Sequence, residues 1–413
     1  MTPRAQFWSG SLAAMAVVAA AGCLTADTMA MGSKPGHSTR TVERRLLGQG
    51  PEALLGAILR DIAEDRIAAA TEQLDRLLEA NPNFRLAQLI KGDLLMARAR
   101  PIAALGNAPD APAERVSDLR DEAKVRLQRL QTPGPGDRVP RFLLKMAPEQ
   151  KHAVVVDTTR STLYLFENGP DGPRYVSDYY ITIGKNGTDK LREGDKKTPL
   201  GVYHVTGNLP RNKVGDFYGS GAYPISYPNE WDRRNGRDGH GIWLHGTPRD
   251  TYSRPPRASD GCVVLTNPDL TTIAANLQIG VTPVIIAGDI DWVSRSDLSD
   301  ARADLESAVE RWRRDWESLK TDNYIAHYAP TFSSGAQGLA EWAAQKRTVN
   351  SGKEWVKVKL DGVSMFLYPG QQPLAVVTFT QDYRSNNLSN VMRKRTYWMR
   401  DGDRWKIVYE GAA

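Results

Sequence analysis

One histidine and one cysteine stand out by their spacing. His245 is followed by Gly246-Thr247, and seventeen residues later Cys262 lies within Ser259-Asp260-Gly261-Cys262-Val263-Val264. A glycine directly before a cysteine lets the backbone turn sharply and bring amide N–H groups near the sulfur. Such amides can stabilise the oxyanion of a tetrahedral intermediate. A nearby imidazole can take the thiol proton, and the thiolate is the attacking species. The pair therefore has a chemical reason to exist, namely acyl transfer through a thioester. Spacing alone leaves a structural cysteine as the rival reading. A zinc site would need three or four ligands, which one cysteine and scattered histidines do not supply. His240 and His245 flank Ile242-Trp243-Leu244. Five residues apart on a strand, they point to opposite faces.

The cysteine count sharpens the choice. Only Cys23 and Cys262 exist. Residues 1–30 read as an export signal, with Arg4 before an Ala-rich apolar run over 11–22 that is too short to span a bilayer. Ala20-Ala21-Gly22-Cys23 resembles a lipoprotein processing site. Cleavage there would leave a lipid anchor on Cys23, and cleavage near Ala30 would leave a soluble protein. Either outcome implies a periplasmic or cell-envelope location. It also leaves Cys262 as a thiol with no internal disulfide partner, either buried and inert or kept for its reactivity.

The elements that must position this pair fall into blocks. A chain of 413 residues exceeds one ordinary core and implies two or three domains. Its 41% hydrophobic and 25% charged residues are those of a globular protein. The net charge of +6 is mild and no nucleic-acid-binding motif accompanies it, so nucleic acid is not an expected partner. Residues 31–50 form a polar tether. Residues 51–131 form a helical module. Leu54, Leu55, Ile58, Leu59 and Ile62 make one stripe; Ile67, Ala70, Leu74, Leu77 and Leu78 a second; Leu86, Leu89, Ile90 and Leu94 a third. Asn81-Pro82-Asn83 breaks the chain between the last two, and a further helix is expected over 113–130. One helix–turn–helix resembles a tetratricopeptide unit. The module suits self-association, a protein partner or simple packing.

After Pro133-Gly134-Pro135-Gly136 the period changes to that of strands. Apolar runs at 153–157, 162–166, 179–183, 201–205, 242–244 and 281–287 predict a mostly-β domain over 145–290. A third block over 300–411 opens with an amphipathic helix (Leu305, Ala308, Val309, Trp312, Trp316, Leu319) and continues with strands around 356–360, 375–379, 396–399 and 405–409. Six of the ten tryptophans lie in this block, as core rather than a ligand cage. The fold class is multidomain α+β.

Three stretches carry a family resemblance. Val154-Val155-Val156-Asp157 with Leu163-Tyr164-Leu165-Phe166 opens it. Gly184-Lys185-Asn186-Gly187 and Gly194-Asp195-Lys196-Lys197-Thr198-Pro199-Leu200-Gly201 follow, and His245-Gly246-Thr247 with Ser259-x-Gly261-Cys262 closes it. In this order over 153–287 they resemble the L,D-transpeptidase catalytic domain, also called YkuD. The resemblance implies that Cys262 forms a thioester with a peptidoglycan stem peptide and that His245 is the general base. It implies that the Gly246 carbonyl orients the imidazole and that Gly261 and Cys262 supply oxyanion N–H groups. Ser259, Thr247, Arg249, Arg257 and Trp243 become the substrate-binding candidates. No metal or cofactor is implied. Two positions depart from the family pattern: Asp260 replaces a frequent histidine, and Val264 replaces the usual arginine. Arg249, Arg254 and Arg257 are candidates to make the missing carboxylate contact.

Tyr324-x-x-x-Tyr328, Phe332, Trp342, Phe379-x-Gln381-x-Tyr383 and Trp405-Lys406-Ile407 resemble a nuclear-transport-factor-2-like (NTF2-like) cone. The three-block order is similar to that of cell-shape-determining L,D-carboxypeptidases. An L,D-transpeptidase acting on tetrapeptide stems is the first expectation. An L,D-carboxypeptidase or related amidase is the second, and a non-catalytic wall-binding scaffold is the alternative of another class.

Overall fold

The structure, a computed structural model, describes residues 50–107, 111–370 and 372–413. The expected export signal, Cys23 and the tether up to residue 49 lie outside the described residues. The described residues form two compact units, those up to Thr132 with Arg249–Pro255, and those of Pro133–Pro248 with Pro256–Ala413.

Among the described residues the first unit has four helices, α1 (Pro51–Ala63), α2 (Ile67–Ala80), α3 (Arg85–Met96) and α4 (Ala113–Gln131). Pro51 suits the first turn, where its missing N–H has no partner to lose. Leu55, Ile58, Leu59 and Ile62 recur at helical spacing and all point inward. They meet Ala70, Leu74 and Leu77 of α2 and Leu86, Ile90 and Leu94 of α3 in one core. Asn81-Pro82-Asn83 makes the turn between α2 and α3. Among the described residues, no helix is long and apolar enough to cross a membrane.

The main strands of the first part of the second unit are β1 (His152–Asp157), β2 (Thr162–Gly169), β3 (Gly172–Tyr180), β4 (Gly201–His204), β5 (Gly221–Pro224), β6 (Trp243–His245), β7 (Val263–Val264) and β8 (Pro283–Ala287). One sheet has the order β3-β2-β1-β8-β4, with β1 and β8 parallel. A second has the order β7-β6-β5 and then Leu209–Pro210, with β7 parallel to β6. Side chains alternate across a strand. Val154, Val156, Leu163 and Leu165 therefore enter one core, shared with Leu244 and Val263 of the second sheet. Ala153, Val155, Tyr164 and Phe166 enter another, shared with Phe366, Val376 and Tyr397 of the C-terminal block. Burial on both faces explains why β1 reads as a continuous apolar run rather than an alternation.

The C-terminal block follows. After α5 (Asn267–Ala274) come α6 (Arg295–Glu317), β9 (Tyr328–Ser334), α7 (Leu339–Ser351), β10 (Val356–Leu367), β11 (Leu374–Ser385), β12 (Ser389–Asp401) and β13 (Arg404–Ala412). Beside the short Gln337–Gly338 edge, the sheet order is β9-β13-β12-β11-β10. It curls around α6, whose Trp312 is fully buried against Phe379 and Trp398. This block also meets the two preceding sheets through side chains. Arg395 pairs with Glu230 at 2.8 Å, Trp231 stacks on Tyr397 at 5.6 Å, and Asn229 Nδ2 donates to the Tyr368 hydroxyl at 2.8 Å. Periodicity did not mark β5, β9 or α7. Of α7 only Trp342, Ala343 and Asn350 are buried, so its apolar stripe is too thin to read.

Candidate active site

Cys262 and His245 come together because their strands are neighbours. Val263 pairs with Leu244 and Val264 with His245, so the cysteine sits just ahead of the strand beside the histidine. Leu265 N–H donates to the His245 carbonyl at 2.9 Å and extends the pairing. The imidazole is 1% exposed. Its Nδ1 lies 2.7 Å from the Gly246 carbonyl, which can only accept, so Nδ1 carries the proton. Nε2 is left as the basic nitrogen of the neutral ring. The Cys262 thiol is partly exposed and donates to the Gly241 carbonyl at 3.3 Å. His240, by contrast, is exposed and lies 3.3 Å from Glu193.

Backbone contacts hold the cysteine turn. Gly261 has φ +124°, a region L side chains rarely adopt, and an added Cβ would stand 2.7 Å from the Lys197 carbonyl. Thr198, fully buried, donates from Oγ1 to the Gly261 carbonyl at 2.9 Å and accepts from the Gly184 N–H at 2.9 Å. Lys185 N–H donates to the Ser259 carbonyl at 2.7 Å. The second motif thus serves as the clamp of the third. Asp195 organises that clamp. It accepts from Lys190 Nζ at 2.8 Å and from the amides of Leu191, Arg192 and Lys197 at 2.8, 3.2 and 3.1 Å. Burial pushes its carboxyl up, but Lys190 and the three amides outweigh burial and hold it at about 2.

The structure redistributes the expected roles of several residues. Ser259 is buried, donates to the Cys262 carbonyl at 2.7 Å and accepts the Gly261 N–H at 3.2 Å. Its hydroxyl braces the turn. The Gly261 N–H consequently reaches an oxyanion only by sharing that bond. Thr247 is 1% exposed, too buried for a contact residue, and its carbonyl accepts from Asn267 Nδ2 at 2.8 Å. Arg257 is exposed on a short strand paired with Ile183–Gly184. Arg249 falls within the first unit. Trp243 is half-buried, 4.8 Å from the ring of Tyr218. Val264 is 2% exposed and exchanges backbone bonds with Thr182.

Residues not singled out in the sequence complete the surroundings. The Tyr218 ring meets His245 edge-on at 5.0 Å, and Phe217, 54% exposed, lies 6.1 Å from it. Burial, then the electrostatic effect of nearby Cys262, pushes the Tyr218 hydroxyl up. Asn267, the first residue of α5, bridges this aromatic turn to the histidine strand. Its Oδ1 accepts from Ser220 N–H at 2.8 Å while its Nδ2 holds Thr247. Gly215, Gly219 and Gly221 around Phe217-Tyr218 were the available signal, since three such glycines mark a turn with unusual backbone angles. Among the described residues no group of three or more histidine, cysteine, aspartate or glutamate side chains could hold a metal ion.

Comparison with known proteins agrees with this geometry. The L,D-transpeptidase catalytic domain (YkuD) model matches residues 151–286, and the Cds6 C-terminal NTF2-like domain model matches residues 304–411. The solved structure of Bdellovibrio bacteriovorus Bd1075 is 30% identical, with 67% of this chain and 98% of that chain covered at a TM-score of 0.60. The chain belongs to the YkuD family. The helical cell shape determining protein Pgp2 from Campylobacter jejuni is 26% identical, covering 67% of this chain and 96% of that one at a TM-score of 0.56. No curated protein matches the sequence. This YkuD protein therefore joins a catalytic domain to an NTF2-like cone, with helices ahead of both.

Proposed function

We propose that this protein is an exported, periplasmic or envelope-bound enzyme that modifies peptidoglycan. It acts as an L,D-transpeptidase on tetrapeptide stems through a thioester on Cys262. The observation that carries the reading is the 2.7 Å bond between His245 Nδ1 and the Gly246 carbonyl, because it puts the proton on Nδ1 and makes Nε2 the basic nitrogen on the strand beside Cys262. His245 takes the thiol proton, and Sγ attacks the carbonyl of the third stem residue. The C–N bond to the terminal D-alanine breaks, and the leaving amine takes the proton from His245. An acceptor amine, deprotonated by His245, then attacks the thioester carbonyl. The C–S bond breaks, the thiolate regains a proton and a 3→3 cross-link forms. The Cys262 N–H, with Gly261 sharing its bond to Ser259, faces the developing oxyanion.

A second reading replaces the amine by water and yields a trimmed tripeptide, an L,D-carboxypeptidase reaction. Val264 favours it, since a buried valine offers no cation to a substrate carboxylate. The similarity to a cell-shape-determining protein points the same way. Mass spectrometry of tetrapeptide muropeptides after incubation separates the two products. Cys262→Ala should lose activity by at least about a thousandfold. Undiminished turnover by Cys262→Ala would remove the thioester mechanism, and no turnover by wild type would leave a wall-binding scaffold.

A further inference from the structure

The stretch that joins the two reacting residues is not held by the catalytic sheets throughout. Arg249–Pro255, which begins four residues after His245 and ends seven before Cys262, belongs to the helical unit. Its attachment there is specific. The Tyr252 ring packs on buried Phe84 with centroids 4.4 Å apart. Tyr252 N–H donates to the Asn83 carbonyl at 3.2 Å, and Asn83 Nδ2 returns a bond to the Arg249 carbonyl at 3.0 Å. Ser253 is buried and donates to Glu122 Oε1 at 2.7 Å. Glu122 is 1% exposed and is otherwise held by Arg126, which also pairs with Glu52 and lies over the Phe84 ring.

Two physical arguments give this attachment a purpose. A carboxylate inside a four-helix core is costly unless its oxygens are bonded. Ser253 supplies one of those bonds, so the core of the helical unit is complete only with this segment in place. In addition, the connection from Gly246 to Gly261 is longer than most loops, and loops of that length are uncommon unless they carry function or are tied down. Pinning its middle divides it into two short arms. The exit arm is fastened again by Ile183 N–H to the Pro256 carbonyl at 2.8 Å and by Lys185 N–H to the Ser259 carbonyl at 2.7 Å.

We infer that the helical unit is the anchor of the loop between His245 and Cys262, with Tyr252 and Ser253 as positioning residues for stem-peptide turnover. The restraint passes along the chain into the arms that lead to the histidine and the cysteine. It does not pass through the His245–Gly246 bond or the Thr198–Gly261 bond, so the thiol's own reactivity is independent of it. The activity part of this inference rests on the function proposed above.

The test uses full-length Ser253→Ala, Ser253→Thr, Tyr252→Ala and Tyr252→Phe. Hydrogen exchange over residues 249–258 should quicken about tenfold in the two alanine variants, the size expected for one lost buried contact. Their kcat/KM on tetrapeptide muropeptides should fall about five- to tenfold, while iodoacetamide alkylates Cys262 at the wild-type rate. Tyr252→Phe and Ser253→Thr keep the ring and the hydroxyl and should behave as wild type. Quicker exchange with unchanged kinetics would overturn the positioning role, and unchanged exchange would overturn the anchor itself. Should Tyr252→Ala lose helical structure, Ser253→Ala, which removes one hydroxyl, decides the matter. If wild type turns over no muropeptide, the proposed function fails, and exchange alone then judges the anchor.

Discussion

Two buried polar regions of the larger unit are built on opposite plans. The cysteine turn is organised by main-chain groups, with Thr198, Ser259 and Asn267 bonded to backbone N–H and carbonyl groups. Inside the C-terminal cone the polar groups are side chains. Glu410, 1% exposed, accepts from Lys394 Nζ at 2.5 Å and from the Tyr328 hydroxyl at 2.8 Å. Lys346 lies 4.0 Å over the Trp342 ring, and Trp312 Nε1 donates to Tyr328 at 3.1 Å. Burial alone would raise the Glu410 carboxyl, but Lys394 and Lys346 outweigh it and hold it below its usual range. The first plan fixes where atoms are with almost no net charge. The second stores charge that must stay compensated. The two should therefore fail in different ways.

The contrast is sharpest for a single methyl group at Gly261. Alanine there must hold φ near +124° and place its Cβ 2.7 Å from the Lys197 carbonyl. Strain of about 1–3 kcal/mol follows from the backbone alone. The turn can relieve it only by moving the thiol, and a displacement of about 1 Å is enough for a hundredfold loss of kcat/KM. Muropeptide turnover by Gly261→Ala, beside its alkylation rate, measures this. Near-wild-type turnover would break the claim that backbone geometry builds the site.

Glu410→Gln should do the reverse, harming stability and sparing the chemistry. It leaves Lys394, and the neighbouring Lys346, without their buried counter-charge, at an expected cost of about 3 kcal/mol. Thermal unfolding should register the loss. Cys262 alkylation should stay at the wild-type rate, because no contact of Glu410 reaches the cysteine turn. Replacing both partners with Lys394→Met and Glu410→Leu should recover much of the loss, since an apolar pair no longer needs compensation. An unchanged melting temperature in Glu410→Gln would remove the distinction between the two regions.

The same difference decides what could be read in the sequence. His245-Gly246 and Ser259-x-Gly261-Cys262 are short because main-chain geometry needs neighbours in the chain. The block order and the helical, β and cone classes were legible because apolar periods differ between helix and strand. The inward-facing pairing of Tyr328, Lys394 and Glu410 was not legible, since these residues are far apart in sequence and nothing local marks them. Asn267 was missed for a related reason. Its partners Ser220 and Thr247 lie on separate segments, and on its own it reads only as the first residue of a helix. The burial of the substrate-binding candidates Ser259 and Thr247 was not legible either, since nothing local marks it. The insertion of Arg249–Pro255 into the helical unit left no trace beyond a Pro- and Arg-containing loop.

The smallest expected effect tests whether charge enters the backbone-built site at all. The charge most closely held there is Asp195, whose side chain is 12% exposed and whose carboxyl is held at about 2. A depressed acid contributes stability that is fully present above its unfolded value, near 3.8, and that is lost as pH falls toward the folded value. The window is therefore roughly pH 4 to 2, and its size is about 2 kcal/mol for a shift of this extent. Hydrogen exchange of residues 188–198 and thermal unfolding, each followed from pH 5 to pH 2, should show wild type losing this contribution. Asp195→Asn, which cannot titrate there, should start lower at pH 5 and decline less. Parallel declines in the two proteins would mean that the carboxylate is not what fastens the loop, and that the Lys190 and amide contacts around it follow from the turn rather than hold it.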